Sequence, residues 1–206
     1  YDKLTVMAEI AVERVKQTHE NGGDTGSTGW GYKWDIEEAK RMVLRTHTTA
    51  TTIHALAKDS KPPRKVFCVG RVFRNETISF KHLPEFHQVD GVVIDKNASF
   101  TCLLGTLKEF YRNMGFDKVK FKPAFFPYTE PSAEVFVWME SKKCWIELGG
   151  SGIFRPEVTR PFNCNVPVMA WGLGLERLAM LRYGVNDIRK LYGSDLNWLQ
   201  EVRLCQ

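Results

Sequence analysis

At 206 residues, with 43% hydrophobic side chains, the chain carries enough apolar material for one globular core and too much of it for a disordered tail. A formal net charge of +5, from 29 Lys and Arg against 24 Asp and Glu, suits a polyanionic partner but does not establish nucleic-acid binding. The basic residues are scattered rather than gathered into one run.

In chain order, Leu4, Met7, Ala8, Ala11, Val12 and Val15 recur at helical spacing and predict an amphipathic helix ending near His19. The glycine-rich run Gly22 to Gly31 is too flexible for regular structure. It lacks the Lys-Ser/Thr of a phosphate loop, so a lid or connector is expected. Residues 35–45 and 49–57 read as two short helices, and 65–73 and 88–95, rich in Val and Ile, as strands. Phe100, Leu103, Leu104, Leu107, Tyr111 and Met114 predict the clearest helix, capped by Ser99 and stopped by Gly115. Further strands are expected over 119–125, 133–140, 145–148 and 168–171, and the chain returns to helix at its end. No repeat or linker interrupts this order, which predicts a single α+β domain over residues 1–206, an antiparallel β-sheet flanked by α-helices.

Cys68, Cys102, Cys144, Cys164 and Cys205 are odd in number and widely spaced. They point to neither a disulfide framework nor a zinc site, and a reducing cytoplasm fits them. The longest apolar stretch, near residues 166–175, is broken by Pro167, Gly172 and Gly174 and falls short of the roughly 20 residues a membrane helix needs, so no membrane role is expected. The chain opens on Tyr1 with no signal-like segment, as an excised piece would.

Two segments carry chemistry. In the first, Arg74 and Glu76 stand two apart at a strand end, and His82 and Phe86 return across a polar turn. Placed on one face, they make a phosphate clamp, an acceptor for an exocyclic amine, a polar cap and a stacking platform for a purine. The bland alternative is an Arg74–Glu76 surface salt bridge. In the second, Gly172-Leu-Gly-Leu-Glu-Arg177 puts an arginine in the first turn of a helix, where the dipole disfavours it unless an anion binds. Its bland alternative is a structural ion pair with Glu176 or another acid.

Phe73-Arg-Asn-Glu76 through His82-Leu-Pro-Glu-Phe86 resembles motif 2 of the class II aminoacyl-tRNA synthetases, and Gly172 to Arg177 resembles their motif 3. Leu44-Arg-Thr-His-Thr-Thr-Ala50, Phe86-His-Gln-Val-Asp-Gly91, Phe126-Pro-Tyr-Thr-Glu-Pro-Ser132 and Glu147-Leu-Gly-Gly-Ser-Gly-Ile-Phe154 narrow the resemblance to phenylalanyl-tRNA synthetase α subunits. It runs from about Glu13 to the end, and Tyr128 with the Thr-His-Thr-Thr-Ala form is closer to the archaeal and eukaryotic cytosolic branch.

The resemblance implies the class II catalytic fold and ATP-dependent activation of L-phenylalanine to phenylalanyl-adenylate, followed by transfer to tRNA(Phe). By that resemblance Arg74, Glu76, His82, Phe86 and Arg177 contact ATP, with Arg74, Arg177 and His82 as the catalytic set. Thr49, Gln88 and Asp90 would orient the α-amino group, with His47 nearby and Val89 within the same L-phenylalanine-binding set, Phe126, Tyr128 and Phe154 would surround the ring, and Ala170 would leave room at the pocket floor. Glu130 would bind Mg²⁺, with Glu147 a weaker candidate. The partners implied are a β subunit in an (αβ)₂ tetramer, which carries the editing site in the family, and tRNA(Phe). Motif 1 and the upstream tRNA-binding region have no counterpart here, so the chain alone is expected to be inactive.

Two rival readings fit the residues less well. A phosphoseryl-tRNA synthetase would want extra cations where Phe126, Tyr128 and Ala170 stand, and a non-catalytic paralogue would not be expected to keep Arg74, Glu76, Glu130 and Arg177 together.

Overall fold

The computed structural model describes residues 2–140 and 142–202, with the side chains of residues 2–11 outside the described set. Its centre is one six-stranded sheet in the order β1-β2-β6-β5-β4-β3, antiparallel throughout, so the architecture is α+β. The strands are β1 Arg64–Phe73, β2 Glu85–Ile94, β3 Val119–Pro123, β4 Thr129–Met139, β5 Cys144–Phe154 and β6 Val168–Gly174.

The helices are α1 Asp2–Asn21, α2 Ile36–Lys40, α3 Thr49–Lys58, α4 Phe100–Asn113, α5 Pro156–Thr159, α6 Leu175–Arg182 and α7 Leu196–Glu201, with short 3-10 turns at Arg160–Phe162 and Ile188–Leu191. Helix α4 forms as expected. The Ser99 side chain accepts from the Cys102 N–H, and Leu103, Leu107 and Tyr111 bury one stripe. That stripe packs on Val135, Val137, Leu148, Met169 and Leu173, the inward residues of β4, β5 and β6. A second cluster covers the opposite face of the β2 and β6 end, where Leu56 of α3 meets Val92, Ile94, Val168, Ala170 and Phe154.

Several expectations change. The helix expected over 35–45 shrinks to α2, and residues 41–48 form no regular element, anchored where Phe73 N–H donates to the Arg45 carbonyl and Arg45 Nε donates to the Arg71 carbonyl. Arg74 and Glu76 lie past the end of β1, in the loop to β2, so the loop rather than strand pleat brings them to one place. The amphipathic face expected from Leu4 to Ala11 lies outside the described side chains. The Gly22–Gly31 run is a hydrogen-bonded connector, with Trp30 N–H on the His19 carbonyl and Arg160 on the Asp24 carbonyl. It lines no part of the cleft described below.

Strand β5 continues six residues past the expected end, through Gly149-Gly-Ser-Gly152 to Phe154. The glycines belong to the sheet because it is crowded there: a Cβ on Gly150 would stand 2.4 Å from the Phe126 ring. Cys68, Cys102, Cys144 and Cys164 are free thiols, and Cys205 lies outside the described residues. Among the described residues no helix is long and apolar enough to cross a membrane.

Candidate active site

The period-2 alternation of β2 divides its side chains between two jobs. Phe86, Gln88 and Asp90 face a cleft, whereas Val89 points to the α4 side and packs in the core there. Val89 therefore does not reach the ligand side with its side chain, a correction to the expectation drawn from the Gln-Val-Asp stretch. The cleft encloses about 320 Å³, the scale of small-ligand sites. It gathers His47, Thr49, Arg74, Glu76, His82, Phe86, Gln88, Asp90, Phe126, Tyr128, Glu147, Phe154, Ala170 and Arg177. Every expected site residue except Val89 and Glu130 thus meets in one hollow, although the sequence spreads them over 131 positions, 177 minus 47 plus one.

At one end sits a buried polar cradle. Thr49 Oγ1 donates to Asp90 Oδ2 at 2.7 Å, Thr52 Oγ1 donates to Asp90 Oδ1 at 3.1 Å, and the Thr48 N–H donates to Gln88 Oε1 at 3.3 Å. Burial pushes the Asp90 carboxyl up to about 6, even though the bonds from Thr49 and Thr52 pull the other way. Gly172 on the neighbouring strand lets the pair stand so deep, because a Cβ there would lie 2.5 Å from Gln88 Nε2. Thr52 lacks any motif signal. Only its placement one helical turn after Thr49 brings it to the same carboxylate.

Beside the cradle stands an aromatic box. Phe126 and Tyr128 stack with centroids 6.3 Å apart, while Phe154 and His47 each meet Tyr128 edge-on at 6.3 Å. Burial and the Arg74 charge hold the His47 imidazole below its ordinary range, so it is neutral near pH 7. Ala170 closes the floor with a small side chain.

At the other end lie two guanidinium groups. Arg74 sits over the Phe86 ring at 5.1 Å and donates to the Thr46 carbonyl at 3.3 Å, and among the described residues no carboxylate pairs with it. The bland Arg74–Glu76 salt bridge is absent among them. Arg177, in the first turn of α6, bonds the Glu147 carboxylate at 2.8 Å and the Glu147 carbonyl at 3.0 Å, both side chains half-exposed. Glu176 takes another part: its Oε1 accepts from the His87 N–H at 2.7 Å and from Tyr192, tying α6 to β2 and to the turn that follows. The polar cap expected at His82 lies in the loop, where its Nδ1 meets Ser79 Oγ at 3.2 Å.

Glu130 is exposed and absent from the cleft lining, since β4 shifts register between Thr129 and Ser132 and turns it outward. Of the two carboxylates expected to meet a metal, only Glu147 faces the hollow, and Glu134 joins it there without any motif to announce it. Among the described residues no cluster of three His, Cys, Asp or Glu could hold a metal by itself.

The family model for the class II tRNA synthetase core domain (F) matches residues 7–202. Over 98% of its length the chain is 58% identical to the phenylalanine–tRNA ligase α subunit of Archaeoglobus fulgidus, and over 94% it is 57% identical to that of Methanopyrus kandleri. Its identity to the Methanocaldococcus jannaschii α subunit is 50% over 95% of the chain. It spans about two fifths of those relatives, 42%, 37% and 40% of their lengths. A cradle, an aromatic box and two arginines on a six-stranded antiparallel sheet agree with that match, and the chain belongs to the class II tRNA synthetase core domain (F) family.

Proposed function

We propose that the chain is the catalytic core of a phenylalanine–tRNA ligase α subunit, activating L-phenylalanine with ATP and passing it to tRNA(Phe). The observation that carries the reading is the pairing of a buried, threonine-bonded Asp90 with an aromatic box and an Arg74 that no described carboxylate neutralises. The α-ammonium sits against Asp90, Gln88 and Thr49, and the phenyl ring lies among Phe126, Tyr128 and Phe154 above Ala170. The carboxylate then points to Arg74. ATP stacks its purine at Phe86, offers its exocyclic amine to Glu76, and lays its phosphates between Arg74, His82 and Arg177.

In the reaction a carboxylate oxygen attacks the α-phosphorus, the bond to the bridging oxygen breaks, and pyrophosphate leaves. A hydroxyl of the terminal tRNA adenosine next attacks the acyl carbon and AMP departs. No side-chain nucleophile enters: alignment of two anions, and cations placed where charge gathers, supply the rate. Mg²⁺ would supply further phosphate neutralisation. Glu147 would hold it, with Glu134 beside it in the lining, because this ion is content with one or two carboxylates plus phosphates and waters.

The remainder of such a subunit, a β partner in an (αβ)₂ tetramer and a cytoplasmic setting belong to the same proposal, supported by the α-subunit names of the relatives. Calorimetric titration with non-hydrolysable phenylalanyl-, tyrosyl- and phosphoseryl-adenylate analogues tests it. Selective binding of the phenylalanyl analogue is expected. Preference for another analogue, or no binding by a demonstrably folded chain, overturns the assignment of this cleft.

A further inference from the structure

The scattered lysines of the sequence include one set that the fold gathers. Lys118 leads into β3, and Lys120 and Lys122 follow at two-residue intervals, so the pleat turns them to one face with a spacing of about 6.8 Å. Across the ladder that face continues with Phe136 opposite Lys120 and Glu134 opposite Lys122, then with Glu147 opposite Phe136 and Trp145 opposite Trp138. Cation and ring interleave. Lys120 Nζ lies 4.1 Å from the Trp145 centroid, Lys122 Nζ lies 4.7 Å from that of Phe136, and Lys118 Nζ lies 5.8 Å from that of Trp138. Trp145 is 36% exposed, and among the described residues no carboxylate pairs with Lys120 or Lys122. Lys118 is held by Glu140, and Lys142 and Lys143 add charge at the adjoining β4–β5 turn.

The strip has a direction. Glu134 and Glu147 belong to both the strip and the cleft lining, and Glu147 bonds Arg177, so the lysine and ring face adjoins the hollow where the adenylate would form, with those two carboxylates at the join. An exposed sheet face with rings for stacking and unpaired ammonium groups between them fits a single-stranded polynucleotide better than a folded protein. Base faces stack on the rings, and the lysine ammonium groups displace the phosphates' counterions into solvent.

We propose that this face, built from Lys120, Lys122, Phe136 and Trp145, is the track on which the single-stranded 3′ end of an RNA reaches the cleft. This deepens the ligase reading and rests on it. The test compares the assembled ligase, α subunit with its partner, with the Lys120→Gln/Lys122→Gln pair in it. The measurements are tRNA charging, phenylalanine-dependent ATP–pyrophosphate exchange, and the slope of log affinity for tRNA against log salt.

The expected result is a KM for tRNA raised about tenfold and a salt slope shallower by about 1.4, from roughly 0.7 for each lost phosphate contact on a single strand. Exchange should be unchanged, and Lys120→Arg/Lys122→Arg should restore the KM. An unchanged KM and slope overturn the track, as does an equal loss of exchange or release of the partner subunit on gel filtration. If the unsubstituted ligase shows no phenylalanine-dependent exchange, the ligase reading itself falls, a failure visible before any lysine is replaced.

Discussion

Asp90 couples the site to pH. An ordinary aspartate titrates near 3.8 and burial lifts this one to about 6, so between those values the folded chain keeps a proton that the unfolded chain has released. Stability therefore falls as pH rises through that window, by on the order of 3 kcal/mol in all. An ammonium ligand reverses the balance because it needs the carboxylate ionised, with His47 neutral and Tyr128 protonated nearby. Affinity for L-phenylalanine is expected to drop about tenfold per unit below pH 6 and to level off above it, as titration calorimetry across pH 4.5–8 would read. Asp90→Asn should flatten that profile and weaken binding; a sloped profile in the mutant would place the titration elsewhere.

Arg74 belongs to the same scale. Arg74→Ala is expected to lower the pyrophosphate exchange rate by about a hundredfold or more while leaving the KM for phenylalanine within a few-fold, since the guanidinium acts on charge that grows in the transition state. Ala170→Gly deepens the floor, and its expected outcome is a broadened set of amino acids supporting exchange. Rejection of tyrosine should stay near the hundredfold that an apolar pocket can manage.

Among the elements, α4 and β5 differ in what they tolerate. Leu107→Ala empties a fully buried position and should cost about 2–5 kcal/mol in denaturant unfolding, with exchange per folded molecule unchanged, because α4 packs behind the sheet. Gly150→Ala works the other way. Its Cβ would meet the Phe126 ring at 2.4 Å, so the expected loss is in phenylalanine affinity, read by the same calorimetry, with a smaller effect on the unfolding midpoint. The elements also show where periodicity can be trusted. α4 was legible from its apolar stripe and its Ser99 cap, and β1 and β2 from Val and Ile. The end of β5 is not legible, because three glycines look like a loop until a crowding neighbour is known.

For the whole molecule the exposed edge matters. β1 ends the sheet, and its outer face carries Phe67 at 75% exposure and Val69 at 51%, near the groove between β1 and the start of α4. An edge of this kind invites pairing with another strand. The isolated chain is expected to self-associate with concentration in light scattering, and Phe67→Lys should reduce that; identical scattering from both would remove β1 as the cause.

The sequence by itself determined the secondary elements with strong periodicity and the residue types of the site, because a guanidinium, an amide and a carboxylate carry their chemistry wherever they stand. It could not tell Val89 from its neighbours Gln88 and Asp90, since the strand pleat, not the motif, sends alternate side chains to opposite faces. Nor could it tell that Glu130 lies exposed beside a register shift in β4 while Glu147 and Glu134 face the cleft, because only the pairing of β4 with β5 sets those directions. The partner of Arg177, the second threonine on Asp90 and the union of three lysines with three rings were likewise decided by tertiary structure. Each depends on strands or helices distant in sequence lying side by side, and pairing between distant segments is information that no local pattern holds.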